Sequence, residues 1–170
     1  QDFIVVGRGE ESARKFEEAT GVKPATGGFE SWVSQQQVIP QRAIVCVEEV
    51  GLGTVSRQIL AAGVQSVLVE KPGGLDVPDI KKVGELATEK NANVYVGYNR
   101  RFYAATKKAE EIIQQDGGVL SFLFEFTEWS HVIADLEKAP GTKENWFLAN
   151  SSHIIDLAFF LGGKPKQLSS

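Results

Sequence analysis

The sequence predicts an α/β protein: a parallel sheet with crossover helices, followed by a strand of the kind found in an antiparallel sheet. Three observations carry this. Short apolar runs alternate with amphipathic stretches of helical length through residues 3–115, the pattern of strands joined by crossover helices. One run, Ala43 to Val47, is apolar at every position, as in a strand buried on both faces. From Val119 the pattern changes to alternation, the mark of a strand with one buried face.

The elements follow in order. Phe3 to Val6 reads as a strand. Glu10 to Thr20 reads as a helix with Ala13, Phe16 and Ala19 on one face and Gly21 closing it. Residues 22–42 are irregular, with a short helix around Trp32. Ala43 to Val47 is the second strand, with Cys46 packed in the core. Leu52 to Ala62 is a helix with Val55, Ile59 and Ala62 inward. Ser66 to Glu70 is the third strand. Asp76 to Lys90 is a helix that Asp76 can cap, with Pro78 in its first turn and Ile80, Val83 and Ala87 as its stripe. Asn93 to Tyr98 is the fourth strand. Arg101 to Gln115 is a helix with Phe102, Ala105, Ala109, Ile112 and Ile113 inward. Gly117-Gly118 marks a domain boundary, giving domains over 1–117 and 118–170. Val119 to Glu128 is a strand with Leu120, Phe122, Phe124 and Phe126 on one face. Residues 129–148 form a polar loop. Asn150 to Leu161 is apolar nearly all round and so a buried helix, stopped by Gly162-Gly163.

Composition excludes several classes. The chain has 170 residues, 18 Lys and Arg against 22 Asp and Glu, and a formal net charge of −4. With a pI near 5.3, nucleic acid is not the expected partner. No apolar run approaches the ~20 residues that span a bilayer, so no membrane partner is expected. The single cysteine cannot form an internal disulfide, and no charged-then-apolar leader opens the chain, so a cytoplasmic location is expected. The chain has no Met and opens on Gln1, so its natural start is expected upstream, or the chain is processed. Two histidines and one cysteine give little material for zinc, and no metal is expected.

Parallel α/β sheets bind ligands beyond the carboxyl ends of their strands. Those ends carry Gly7-Arg8-Gly9, Glu48-Glu49, Glu70-Lys71-Pro72 and Tyr98-Asn99-Arg100-Arg101, and the four groups are expected to converge on one edge. Gly7-Arg8-Gly9 is not a dinucleotide phosphate loop: Ser12 stands at the third glycine, and Glu10 and Glu11 would face the pyrophosphate. The segment instead reads as a second Rossmann strand whose end meets an adenosine ribose. There Gly7, Arg8 and Ser12 are candidate cofactor contacts, and a guanidinium in place of an acid suits a 2′-phosphate, hence NADP, with NAD the alternative. The other reading is an ordinary Gly-rich turn with a solvated arginine. Lys71, before Pro72, can move a proton or hold a hydroxyl if its surroundings tune it; a solvated lysine is the alternative. His153 follows Asn150-Ser151-Ser152, a run of capping residues that places it in a first helical turn, where the dipole keeps an imidazole neutral. Asp156 shares its face. The alternative is a capped helix with a satisfied His and Asp. His131 has no evident partner.

Val69-Glu70-Lys71-Pro72, Gly97-Tyr98-Asn99-Arg100-Arg101-Phe102 and Ser152-His153-Ile154-Ile155-Asp156-Leu157 with Leu161-Gly162-Gly163 occur in this order. The set resembles the glucose–fructose oxidoreductase and inositol dehydrogenase family from Phe3 to about Leu168. The resemblance implies a Rossmann-like NAD(P)-dependent dehydrogenase moving hydride between nicotinamide and a hydroxyl carbon of a sugar, nucleotide sugar or cyclitol. It implies Lys71 and His153 as catalytic residues, with Glu70, Lys71, Pro72, Asn99 and Arg100 at the cofactor's nicotinamide end and Lys71–Pro72 often cis. It also implies a homo-oligomer through the second-domain sheet. The family's first strand and phosphate loop precede the segment matching Phe3, and its large sheet continues past Leu168, so the chain reads as a fragment, with an incomplete Rossmann-like sheet and the start of an α+β domain with an antiparallel sheet. Ala149 stands where the family often has Asp, and Glu48-Glu49 and Leu52 depart from its turn after the central strand. These departures motivate a second hypothesis, a non-catalytic homologue that binds a sugar or nucleotide or serves in assembly.

Overall fold

Residues 3–167 are described in the computed structural model of the chain. Three parallel strands, β1 (Arg42–Val45), β2 (Ser66–Val69) and β3 (Asn93–Val96), lie in the order β1-β2-β3. Each is joined to the next by one helix, α3 (Glu49–Ala61) or α4 (Val77–Glu89). The register pairs Val45 with Val69 and Val69 with Val96, so the three carboxyl ends are level. Both helices pack on the same face of the sheet and on each other. The core lies between: Val45, Val67 and Val69 from the strands against Leu52, Ile59 and Leu60 of α3 and Val83 and Ala87 of α4. Each fully buried aliphatic side chain contributes about 2 kcal/mol by transfer.

The core face of α3 is wider than its apolar spacing predicts. Leu52, Gly53, Ser56, Ile59 and Leu60 are buried, whereas Val55 and Ala62 are half-buried, and the helix starts three residues earlier, at Glu49. Among the described residues, nothing covers the opposite face of the sheet. Ile44 is 70% exposed and Tyr95 58%. Cys46 therefore does not pack in the core: it follows the end of β1 and is exposed on alternation from buried Val45.

Residues 3–6 do not form a strand of the sheet. Val6 makes a single parallel bridge to Ala25, with Ala25 N donating to Val5 O and Gly7 N to Ala25 O, both at 2.8 Å. One bridge is too short a ladder, and no described segment pairs with the other edge. Between them lie α1 (Glu10–Thr20), closed by Gly21 at φ +72°, and then α2 (Gly28–Val33) follows around Trp32. Ala13 is buried in α1, but Phe16 and Ala19 are exposed.

After β3 the helix predicted from Arg101 divides. A 3-10 turn covers Asn99–Phe102, Tyr103 is extended, and α5 runs Ala104–Gln115. Extended backbone at Tyr103 rotates the helix, so Phe102, Ala105 and Ile112 are exposed while Thr106 is buried, its hydroxyl donating to Arg100 O at 2.8 Å. Residues 119–128 form no regular element and have no ladder partner, so the antiparallel strand is not formed among the described residues. Its alternation still acts. Phe122, Phe124 and Phe126 stack in a row, the first two edge-on to Phe159. Leu120, predicted on that face, is wholly exposed. The expected loop over 129–148 contains a short helix, α6 (Ser130–Asp135). The last helix is longer at its start than predicted: a π-helical turn, Phe147–Ser151, runs directly into α7 (Ser152–Gly162). Residues 153–162 of α7 are half-buried rather than buried, because only some of its faces meet α5 and the 3-10 turn.

Candidate active site at the carboxyl edge of the sheet

The level strand ends place two loops side by side. The ladder runs one residue past each strand, with Glu70 N donating to Val45 O at 2.9 Å and Gly97 N to Val69 O at 2.8 Å. Beyond β2 the Lys71–Pro72 peptide bond is cis, Pro72 is buried, and Gly73 turns the chain at φ +93°. Lys71 is half-buried, and its Nζ donates to the carbonyl oxygen of Ala149 at 2.7 Å. That contact ties the Rossmann part of the chain to the helical turn just before His153.

His153 sits among charges from three segments: Lys71 and Glu70 after β2, Arg100 after β3, and Asp156 on its own helix. Burial, then the Lys71 and Arg100 cations, holds its imidazole below the ordinary value of about 6.5. The ring is thus neutral at pH 7 and able to accept a proton. The cause differs from the one the sequence suggests. Ser151 has helical backbone angles and caps nothing, since helical turns precede it. The dipole of a bare helix end is therefore not available to His153. Its Nδ1 is buried without a hydrogen-bond partner among the described residues. Asp156 does not bond it; both carboxylate oxygens of Asp156 accept from Arg101, one from Nε at 2.8 Å and the other from Nη2. The Tyr98 ring meets the imidazole edge-on with centroids 5.9 Å apart. Burial pushes the Tyr98 hydroxyl above its ordinary range.

Three of the four strand-end groups thus share one edge. The fourth does not join the ladder. Gly7 and Arg8 lie beyond the Val6 bridge, where their carbonyls accept from Gly28 N and Gly27 N at 2.9 and 3.2 Å. Arg8 is exposed, as is Ser12 on the first turn of α1. A Cβ at Gly7 or Gly9 would meet nothing within 4 Å, so this strand end is open to a ligand. Asn99 is exposed and Arg100 half-buried. Glu49 is taken up structurally, 3.6 Å from Lys138 Nζ.

Sequence reasoning misses Glu128. Ser151 Oγ donates to its Oε1 at 2.5 Å and Asn150 Nδ2 at 3.0 Å, and these bonds hold the carboxyl below its ordinary range. Glu128 opens into a cleft of about 450 Å³ walled by Trp129, Val132, Ile133, Leu136 and Trp146. His131 stacks on Trp129. Only Asn150-Ser151-Ser152 hinted at this, and it reads as a cap. Among the described residues no cluster of His, Cys, Asp or Glu is placed to hold a metal, and no helix is long and apolar enough to cross a membrane.

A parallel sheet with crossover helices and its polar groups gathered beyond the carboxyl ends is the arrangement of a Rossmann-like α/β domain. The chain belongs to the Gfo/Idh/MocA oxidoreductase family, NAD-binding Rossmann fold, whose profile matches residues 3–98. Its fold is shared with solved dehydrogenases. Levoglucosan dehydrogenase, in complex with NADH and levoglucosan, is 18% identical with a TM-score of 0.74, over 95% of this chain and 45% of that one. The WlbA dehydrogenase from Bordetella pertussis, in complex with NADH and UDP-GlcNAcA, is 19% identical with a TM-score of 0.71, over 95% of this chain and 47% of that one. The chain spans about half the length of these structures. No curated protein sequence matches it.

Proposed function

We propose that this chain is the part of an NAD(P)-dependent dehydrogenase that carries Lys71 and His153 as its catalytic pair, acting on a hydroxyl carbon of a sugar, nucleotide sugar or cyclitol. The observation that carries the reading is the Lys71 bond to Ala149 O, which brings the Lys71 amino group and the His153 helix together at the carboxyl edge. The residues fit the two ends of a dinucleotide. Open Gly7 and exposed Arg8, with Ser12, would meet the adenosine end. Glu70, Lys71, Pro72, Asn99 and Arg100 would border the nicotinamide end. A guanidinium at Arg8 favours the 2′-phosphate of NADP. When bound there, the nicotinamide supplies the hydride acceptor or donor.

The chain's own residues supply the proton chemistry. An ammonium carries three donors. Lys71 uses one on Ala149 O and has others to orient a substrate hydroxyl. Neutral His153 accepts the hydroxyl proton in oxidation and returns it in reduction. Indole faces stack on the C–H faces of sugars, and a carboxylate accepts from their hydroxyls, so the Trp129, Trp146 and Glu128 cleft supports a sugar-type substrate. The two similar dehydrogenases were solved with sugar-type ligands, in keeping with this. Domains over 1–117 and 118–170 and oligomerisation through the second belong to the same reading.

A second reading, a non-catalytic homologue, is favoured by a different observation: Ala149 in the turn before His153 carries no carboxylate, and His153 Nδ1 has no hydrogen-bond partner among the described residues. Lys71→Ala in the full-length protein separates the two. We expect kcat on sugars or cyclitols to fall about a hundredfold or more while NADPH affinity, measured by fluorescence titration, stays within a few-fold and exceeds NADH affinity. A full-length protein that binds neither cofactor and turns over no such substrate would leave only the second reading.

A further inference from the structure

His153 lacks the usual device that orients a working histidine. Such a ring is normally fixed by a hydrogen bond from its second nitrogen to a carboxylate or carbonyl. Here Nδ1 is buried without a partner among the described residues. The nearest candidate, Asp156, lies one turn along the same helix but spends both oxygens on Arg101. The imidazole is therefore held by packing and by the placement of α7.

Arg101 controls both. It stands in the 3-10 turn after β3 and forks onto Asp156 of α7, a bidentate geometry that fixes distance and angle together. Its guanidinium lies 5.0 Å from the ring centroid of Phe160, also on α7, and 5.8 Å from that of Tyr98. The same Tyr98 ring meets His153 edge-on at 5.9 Å and 77°. One side chain thus touches two residues of the helix that carries His153 and the aromatic ring that abuts it. Asp156 is nearly buried, its side chain 11% exposed, so its charge is poorly screened without Arg101.

We propose that Arg101 is a positioning residue for His153, acting through Asp156 and Phe160 on α7 and through Tyr98 on the ring's edge. It rests on the reading of His153 as the proton acceptor. The charged groups facing His153 are Lys71 and Arg100, which lower its affinity for a proton, and Glu70 and Asp156, which raise it, with Tyr98 packed alongside. Arg101 pairs with Asp156 and reaches the ring's charge balance through that carboxylate.

The test uses the full-length protein and the variants Arg101→Gln, Arg101→Lys, Asp156→Asn and His153→Asn. Folding is checked by circular dichroism, and His153 is titrated by NMR. In R101Q, Asp156 is left unneutralised, so the His153 titration and the acid limb of the kcat/KM profile move to higher pH. In D156N the raising charge is gone, so both move to lower pH. The opposite shifts report that the Arg101–Asp156 pair is coupled to the ring's charge, and the positioning role is read from kcat and its partial rescue by R101K. With the helix unpinned, kcat falls about tenfold or more in R101Q, cofactor KM is unchanged, and R101K, with a charge but no fork, recovers part of it. Wild-type kcat in R101Q, or shifts of the same sign in R101Q and D156N, overturns the positioning role. Should R101Q fail to fold, the same reading rests on R101K and D156N. Unchanged turnover in His153→Asn instead overturns the reading of His153 itself.

Discussion

Gly53 shows how a single residue decides the packing of two helices. It lies in the middle of α3, where Ala would ordinarily gain about 1 kcal/mol in helix propensity. A Cβ at this position would overlap the carboxylate of Asp79 on α4. That carboxylate is fully occupied, accepting from Arg57 Nη1 through Oδ1 and from Leu75 N through Oδ2 at 3.0 Å. Overpacking costs about 1–3 kcal/mol, and displacing a part-buried carboxylate from its donors costs a further ~1–3 kcal/mol. The clash outweighs the propensity. Gly53→Ala is expected to destabilise the protein by about 2 kcal/mol in urea denaturation, and a stabilised variant would show that α3 and α4 separate more easily than their packing indicates. The sequence offers no local sign of this contact, since Gly53 and Asp79 belong to different helices. The same holds for Arg101 with Asp156 and for Glu128 with Ser151. Each residue is visible in the sequence, but their pairing is set only when the helices and loops are placed.

Element boundaries were legible where backbone chemistry punctuates the chain. Gly9 and Gly21 bound α1 at the predicted residues, and Gly63 follows α3. The best-marked start is that of α4, where Asp76 accepts from Asp79 N at 2.7 Å with Pro78 in the first turn. Replacing an N-cap Asp by Ala costs about 1 kcal/mol, whereas Asn caps about as well as Asp. Asp76→Ala is expected to lose about 1 kcal/mol and Asp76→Asn much less, in the same denaturation assay. Ser151 makes the contrast. Its side chain serves Glu128, and it sits inside continuous helix, so cap-like composition there misplaced the start of the last helix. The strand over 119–128 failed for another reason. Alternation specifies which side chains share a face, and Phe122, Phe124 and Phe126 do so. A ladder also needs a partner, and no described segment supplies one.

At the scale of the whole molecule, the sheet is one-sided. Helices α3 and α4 bury one face, while Ile44, Leu68 and Tyr95 on the other are 70%, 42% and 58% exposed. The sequence reads the first of these strands as buried on both faces, because Ala43 to Val47 is apolar throughout. In the described residues only alternate positions meet a neighbour. The two faces therefore make opposite predictions for the same kind of substitution. On the covered face, Val67 is wholly buried, and Val67→Ala leaves a cavity costing about 2 kcal/mol. On the open face, Ile44→Thr and Leu68→Thr remove apolar groups that already touch water, and surface substitutions usually stay within about 0.5 kcal/mol. β-branched Thr also keeps the strand preference. Measured on the 170-residue chain, the expected result is a large loss for Val67→Ala and near-neutral values for the other two. A loss above about 2 kcal/mol for Ile44→Thr would mean that this face is covered in solution. Sedimentation velocity would then distinguish a second copy of the chain, which gives a dimer, from a rearrangement within a monomer. The distinction bears on the candidate site, because Cys46, Glu70 and Gly97 continue these same strands. Whatever packs on Ile44 and Leu68 would therefore lie alongside the strands that lead to Lys71 and the carboxyl edge.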